Sequence, residues 1–314
     1  MNPRLPDFFI VGAAKAGTTS LYQNLKQHPE IFLPQIKEVN YFCSDIQVKN
    51  FRPDYAKSVT TDIDAWISGG MKHELFHGFL QNEMQYEKIF SGAGSAKAVG
   101  ELSNTYLYSQ IAAKNIHAQF PQAKIIMFLR NPAERAFSHY AMDFRNGLVK
   151  TDFITEFNAD RNKTVRGWGS SHLYFELGNY YEQVKRFFDL FPANQIKVFL
   201  FDELVNDEDK VFKSICEFIG VNSAFEFDFS EEFNTGAVPK NKMLSALSKQ
   251  NGLKRFLKNT LSGSFKKNLK KIFFKSATAM KLNDADRNFL IELYKTDVQK
   301  TAALIHRDLS AWLK

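Results

Sequence analysis

A three-layer α/β fold with a central, mainly parallel sheet follows from three features of the 314-residue sequence. Short apolar runs bounded by turn residues alternate with stretches whose apolar residues recur every three or four positions. The first apolar run ends in a glycine-bounded loop that leads straight into a helical pattern. The length suits one large core, and no internal repeat, low-complexity tract or linker divides it, so residues 1–314 read as a single domain.

Taken in order, Asp7-Phe8-Phe9-Ile10-Val11-Gly12 reads as a buried parallel strand, because its apolar run does not alternate. Thr18 then opens a helix with Leu21 and Leu25 on one face, and His28-Pro29 ends it. Further strands are expected at 98–101, 124–130 and 196–201. Asn131-Pro132 starts a helix that runs through Phe144. Helices are also expected at about 174–191, 209–219 and 284–305; the second carries Val211, Phe212, Ile215, Phe218 and Ile219 on a 3–4 spacing. Residues 45–95 break the alternation and read as an insertion, and insertions beside a cleft tend to carry specificity. Residues 240–282 are rich in cations, with no acid between Lys240 and Lys281.

The composition narrows the partners. Hydrophobic residues at 44% and charged residues at 24% are ordinary for a globular protein. A net charge of +7 favours anionic ligands such as nucleotides, acidic glycans or a membrane surface. No RNA-binding or helix-turn-helix signature accompanies it, so nucleic acid is not the expected partner. Cys43 and Cys216 have no metal-ligand spacing and read as buried small hydrophobes rather than a disulfide. The apolar run near the start is too short for a signal peptide, and no run of about 18 apolar residues exists, so a cytoplasmic protein is the default expectation. The tract 254–281 interleaves lysines with Leu269, Ile272, Phe273 and Phe274. It reads first as a solvated helical face, and second as a peripheral contact with an anionic membrane or an acidic glycan.

Gly12-Ala13-Ala14-Lys15-Ala16-Gly17-Thr18-Thr19 resembles a P-loop of the form GxxxxGK[ST] and sits between a strand and a helix, as such a loop must. Backbone N–H groups there can wrap a phosphate, and the helix N-terminus adds positive potential. The lysine expected after the second glycine is absent: Thr18 stands there, and the loop's lysine is Lys15. The neighbouring strand ends in Leu129-Arg130, a cation where an ATPase would carry the acid that organises Mg²⁺. The loop therefore reads as a phosphate site without a metal clamp, and no catalytic metal is expected.

Lys15-Ala16-Gly17-Thr18-Thr19-Ser20-Leu21 resembles the 5'-phosphosulfate loop of sulfotransferases that use 3'-phosphoadenosine 5'-phosphosulfate (PAPS). The stretch from Ile126 to Tyr140, containing Arg130-Asn131-Pro132-Ala133-Glu134-Arg135-Ala136-Phe137-Ser138, is similar to their 3'-phosphate motif. The chain is more similar to the bacterial and heparan-sulfate branch than to the phenol and steroid enzymes, and Arg307-Asp308-Leu309-Ser310-Ala311-Trp312 resembles the bacterial branch's usual finish. This resemblance implies the P-loop NTPase-like sulfotransferase fold and sulfuryl transfer to a hydroxyl or amine, with a carbohydrate as the expected acceptor. A P-loop kinase or NTPase, or a non-catalytic nucleotide- or glycan-binding protein on the same fold, is the alternative.

Residue by residue, the resemblance puts Lys15 on the bridging oxygen of the leaving phosphate, where negative charge grows as the S–O bond breaks. Ala16, Gly17, Thr18, Thr19 and Ser20 would hold the 5'-phosphate. Arg130 and Ser138 would hold the 3'-phosphate, the arginine through its planar fork. Lys240, in a late loop with Asn234 and Gly236, would reach a phosphate. Pro34-Gln35-Ile36-Lys37-Glu38-Val39-Asn40-Tyr41-Phe42 resembles the family's Lys-Glu-x-x-aromatic-Phe segment, which makes Glu38 the general base. Lys37 would steady the sulfuryl oxygens or pair with Glu38, in which case a surface ion pair is the plain reading. Glu101 is a further catalytic or substrate contact, although Leu102 and Asn104 depart from the family's lysine and proline. Arg135 reads as an exposed helix arginine, and His139 as a packing residue.

Overall fold

In a computed structural model the chain is described at residues 4–59, 61–230 and 280–314, and in a short antiparallel pair of Val238–Pro239 with Phe274–Lys275. Asn234, Gly236, Lys240 and nearly all of the basic tract lie outside the described residues.

Five strands, β1 (Phe8–Ile10), β2 (Ile31–Phe32), β3 (Ala98–Leu102), β4 (Lys124–Leu129) and β5 (Ile196–Leu200), form one parallel sheet in the order β2-β3-β1-β4-β5. β1 is central: Phe9 lies opposite Glu101 on one side and Ile125 on the other. Every residue of β1 and β3 is buried, so both faces of the sheet are covered and the three-layer expectation holds. Gly100 permits the close packing, because a Cβ there would run 2.1 Å from the Phe8 ring. The chain moves from β1 toward β2 and β3, then returns to the other side of β1 for β4 and β5. The reversal falls beside β1, and at such a point sheets of this class bind ligands outside the C-terminal ends of the strands.

The helices at 18–25, 132–145, 208–219 and 284–305 lie where the sequence patterns put them, and those at 53–59, 63–68, 83–89, 105–108, 112–119, 153–161 and 201–206 were not read from the sequence. They are α1 (Thr18–Leu25), α2 (Pro53–Val59), α3 (Ile63–Ser68), α4 (Glu83–Ile89), α5 (Thr105–Tyr108), α6 (Ala112–Gln119), α7 (Pro132–Arg145), α8 (Phe153–Arg161), α9 (Tyr180–Phe188), α10 (Phe201–Asn206), α11 (Glu208–Ile219) and α12 (Asp284–Ile305). α7 begins where Asn131 accepts from the N–H groups of Ala133 and Glu134, with proline in the first turn.

The helix expected over 174–191 is shorter. A 3₁₀ turn at Glu176–Gly178 precedes α9, whose first N–H groups are capped by Asp297 of α12, 2.7 Å from the Tyr180 nitrogen. That cap comes from about 117 residues away, so no local pattern could reveal it. Among the described residues no helix is long and apolar enough to cross a membrane. Cys43 and Cys216 are free and buried.

Candidate active site

Three sequence segments meet at the C-terminal edge of β1, β3 and β4. The first is the loop from Gly12 to Gly17. Gly17 adopts φ 83°, left-handed backbone that favours glycine, and a Cβ there would press to 3.0 Å from Leu204. No side-chain oxygen caps α1, so the N–H groups of its first turn remain available to an anion. Lys15 also has positive φ, 72°, and its ammonium lies 3.3 Å from the Met142 sulfur on α7.

Arg130 follows β4 directly. Its guanidinium donates to the Lys15 carbonyl at 3.1 Å and lies 4.5 Å over the Phe201 ring, while its own carbonyl accepts from the Tyr180 hydroxyl at 2.9 Å. The loop lysine and the strand-end arginine are thus locked together through the loop backbone. Ser138 stands one helical turn before Met142, on the same face of α7 and only partly buried. Burial lowers the Lys15 ammonium to about 8; the Arg145, Arg130 and Arg135 charges push the same way, and Asp143 opposes them. Such a group of mutually repelling cations is relieved by an anion.

Arg135 is a correction to the sequence reading. Expected on the surface, it is 0% exposed, because the 174–178 turn and α12 close over that face of α7. Its guanidinium donates to the Tyr174 carbonyl.

The third segment carries Glu38. Lys37 and Glu38 form an ion pair, but it is not the surface pair the plain reading anticipated: their side chains are only 5% and 4% exposed. Asn104 completes the arrangement. Its N–H donates to Glu38 Oε2 at 2.7 Å, and its side-chain amide donates to Glu38 Oε1 at 2.6 Å and to Thr18 Oγ1 at 3.0 Å. Thr18 and Glu38 are therefore joined through one amide, and the proposed phosphate loop and base belong to a single network. Glu38 Oε2 keeps lone-pair capacity for a further donor.

The turn bearing Glu38 is left-handed at two residues, Glu38 (φ 59°) and Asn40 (φ 57°). The Glu38 N–H donates to the Leu102 carbonyl at 2.8 Å, and the Glu38 carbonyl accepts from Gly78 at 2.9 Å. Residues 75–80 of the insertion run alongside residues 35–39, with Lys37 N–H bonded to the Leu75 carbonyl at 2.9 Å. Asn40 is buried, and its amide bonds Gly78, Glu38 and Thr105.

Glu101 lies in the packed interior. It is 0% exposed, and burial raises its carboxyl to about 7 against hydrogen bonds from Tyr106, Tyr86 and Ser103. His139 packs against Tyr174, as expected, and burial drives its imidazole down to about 3.

Sequence reasoning missed Asn104 as a connector and treated it only as a departure from the family's proline. It also missed a cluster on α7. His172 Nδ1 lies 2.6 Å from Asp143, and Tyr174 donates to the same carboxylate at 2.7 Å. Arg52 Nη1, 2.9 Å from His172 Nε2, can only donate, so His172 carries its proton on Nδ1 and gives it to Asp143. Nothing in the sequence signals that residues 52, 143 and 172 meet.

Comparisons with known proteins show the family. Residues 6–225 match the pattern of the sulfotransferase family. Over 238 residues the chain is 27% identical to the bifunctional heparan sulfate N-deacetylase/N-sulfotransferase 1 of Mus musculus, covering 71% of this chain and 23% of that protein. Carbohydrate sulfotransferase 15 of Mus musculus is 29% identical over 163 residues, 48% of this chain and 29% of that one. The chain thus spans about a quarter of the length of these curated relatives. A crystal structure of a sulfotransferase from Alicyclobacillus acidocaldarius superposes with a TM-score of 0.69 at 29% identity, covering 99% of this chain and all of that one. By the match over residues 6–225, the chain belongs to the sulfotransferase family.

Proposed function

We propose that the protein moves a sulfuryl group from PAPS to a hydroxyl or amine of a carbohydrate acceptor. The observation that carries this reading is that one loop is tied at Lys15 to Arg130 and at Thr18, through Asn104, to Glu38. It supplies cations for two phosphate positions and a carboxylate for one proton.

The chemistry follows from those positions. The uncapped N-terminus of α1, with Thr18, Thr19 and Ser20, would hold the 5'-phosphate, and Arg130 with Ser138 the 3'-phosphate. Glu38 takes the proton from the acceptor as its oxygen or nitrogen bonds to sulfur. As the bond from sulfur to the phosphate oxygen breaks, the electron pair stays on that oxygen beside Lys15. Lys37, paired with Glu38, would donate one of its N–H groups to a sulfuryl oxygen. Mutually repelling cations at Lys15 and Arg130 fit a doubly phosphorylated adenosine. The carbohydrate acceptor is supported by the relatives whose names specify heparan sulfate and carbohydrate. The insertion shapes the acceptor side, since residues 75–80 buttress the Glu38 turn.

Calorimetry should show tight binding of the product nucleotide, 3',5'-ADP (PAP), without added metal, and weaker binding of ATP with Mg²⁺. Labelled PAPS should then pass its sulfate to members of a glycan panel. Preference for ATP–Mg²⁺ would return the chain to the kinase or NTPase reading, and PAP binding without any turnover of PAPS would leave a binding protein.

A further inference from the structure

Glu101 is a wholly buried carboxylate beneath the Glu38 turn, and its bonds have a direction. Tyr86 donates to Oε2 at 2.6 Å and Ser103 donates to Oε1 at 2.9 Å. Tyr106 is the third hydroxyl bonded to this carboxylate. Two of the three hydroxyls also accept from the backbone that follows Glu38. Ser103 Oγ accepts from the Asn40 N–H at 3.1 Å, and Tyr106 Oη accepts from Tyr41 at 3.0 Å and Phe42 at 3.4 Å. Three consecutive N–H groups therefore end on hydroxyls whose own protons end on one carboxylate.

A hydroxyl has a single proton. With their protons held on Glu101, Ser103 and Tyr106 keep their lone pairs turned to the backbone N–H groups. A neutral residue in its place would let each hydroxyl rotate toward some other acceptor and release the turn. An aromatic shell closes around the carboxylate. Tyr41 stacks on Tyr86 at 4.5 Å, and Phe42 meets the Tyr86 and Tyr106 rings edge-on at 5.2 and 5.8 Å.

We infer that Glu101 is a positioning residue: through Ser103 and Tyr106 it fixes the amides of residues 40–42, and so the left-handed turn that aims the Glu38 carboxylate. The inference rests on Glu38 acting as the base under the proposed function. It explains why a buried carboxylate sits at the end of β3, in register with the central strand, with no path to substrate.

The test is the variant Glu101→Gln, alone and combined with Glu38→Gln. Glutamine keeps the shape and one acceptor oxygen but sets an NH₂ group against a hydroxyl, so at least one relay must reverse. Turnover of labelled PAPS should fall about tenfold or more, with the KM for PAPS and the affinity for PAP unchanged. Amide hydrogen exchange at residues 40–42 should quicken. In the Glu38→Gln background the second substitution should cost nothing further, because its effect passes through Glu38. Wild-type turnover in Glu101→Gln, or an equal loss in both backgrounds, overturns the inference. If Glu101→Gln does not fold, Ser103→Ala and Tyr106→Phe, each removing one relay, are judged by the same criteria. A wild-type protein that neither binds PAP nor consumes PAPS overturns the proposed function itself; an active wild type beside an unimpaired Glu101→Gln overturns only the positioning role.

Discussion

Binding of an anionic nucleotide should be visible as a proton taken up by Lys15. In the unliganded protein its ammonium is lowered from 10.5 to about 8, first by burial and then by the Arg145, Arg130 and Arg135 charges. Holding the charge at neutral pH therefore costs the free protein on the order of 3 kcal/mol. The unfolded chain binds more protons between pH 8 and 10.5, so the unliganded protein should gain stability as pH rises through that window. Two phosphates beside the ammonium reverse the balance and lift its pKa in the complex.

Between pH 7 and 9 the protonated share of Lys15 falls from about nine-tenths to about one-tenth in the free protein. If the complex keeps the proton, PAP affinity falls about tenfold over the same range. The nucleotide's own phosphates lose their last protons near pH 6 and contribute little to this step. Calorimetry at pH 7, 8 and 9, in buffers of different ionisation heat, should report uptake of about half a proton per nucleotide at pH 8. Lys15→Met should abolish the step, bind PAP more weakly at pH 7, and melt at a higher temperature than wild type without nucleotide. An affinity flat from pH 7 to 9, or an undiminished step in the methionine variant, would refute the reasoning.

Two other substitutions separate donor binding from proton removal. Arg130→Ala removes a charge-assisted phosphate contact of about 1.5–3 kcal/mol and should weaken PAP binding roughly tenfold to a hundredfold; the KM for PAPS should rise by more than turnover falls. Asn104→Ala keeps the backbone N–H to Glu38 but cuts the side-chain link to Thr18. It should lower turnover about tenfold and leave PAP affinity within about twofold, measured by the same transfer assay and calorimetry.

Most of the sheet was legible because its strands are buried on both faces and so read as unbroken apolar runs bounded by glycine, asparagine or proline. The Gly12–Gly17 loop was legible because its glycines and its place between β1 and α1 are local. Glu38 could be located by resemblance, but its environment could not. Lys37 and Glu38 are adjacent polar residues, a pattern that usually lies on a surface; only the return of residues 75–80 and of Asn104, 66 positions away from Glu38, buries them. β2 escaped notice because two residues carry no periodicity. The expected exposure of Arg135 failed for a similar reason: a helix pattern shows which residues share a face, and not that α12 will cover another.

Three non-glycine residues at the site, Lys15, Glu38 and Asn40, hold left-handed backbone. That conformation costs an ordinary side chain about 1–2 kcal/mol. Glycine would remove the cost at each place, and it would also remove the cation, the carboxylate and the amide. Each strained residue is over-determined by long-range bonds instead: the Lys15 carbonyl by Arg130, both backbone groups of Glu38 by Leu102 and Gly78, and the Asn40 N–H by Ser103. A backbone turn aims a side chain more sharply than a flexible extended strand end can, provided the turn cannot relax. The hydroxyl relays to Glu101 and the arginine on the loop carbonyl meet that condition at the Glu38 turn and at the Gly12–Gly17 loop. Under the proposed function, the backbone beneath Lys15 and Glu38 is held by residues at the ends of β4 and β3.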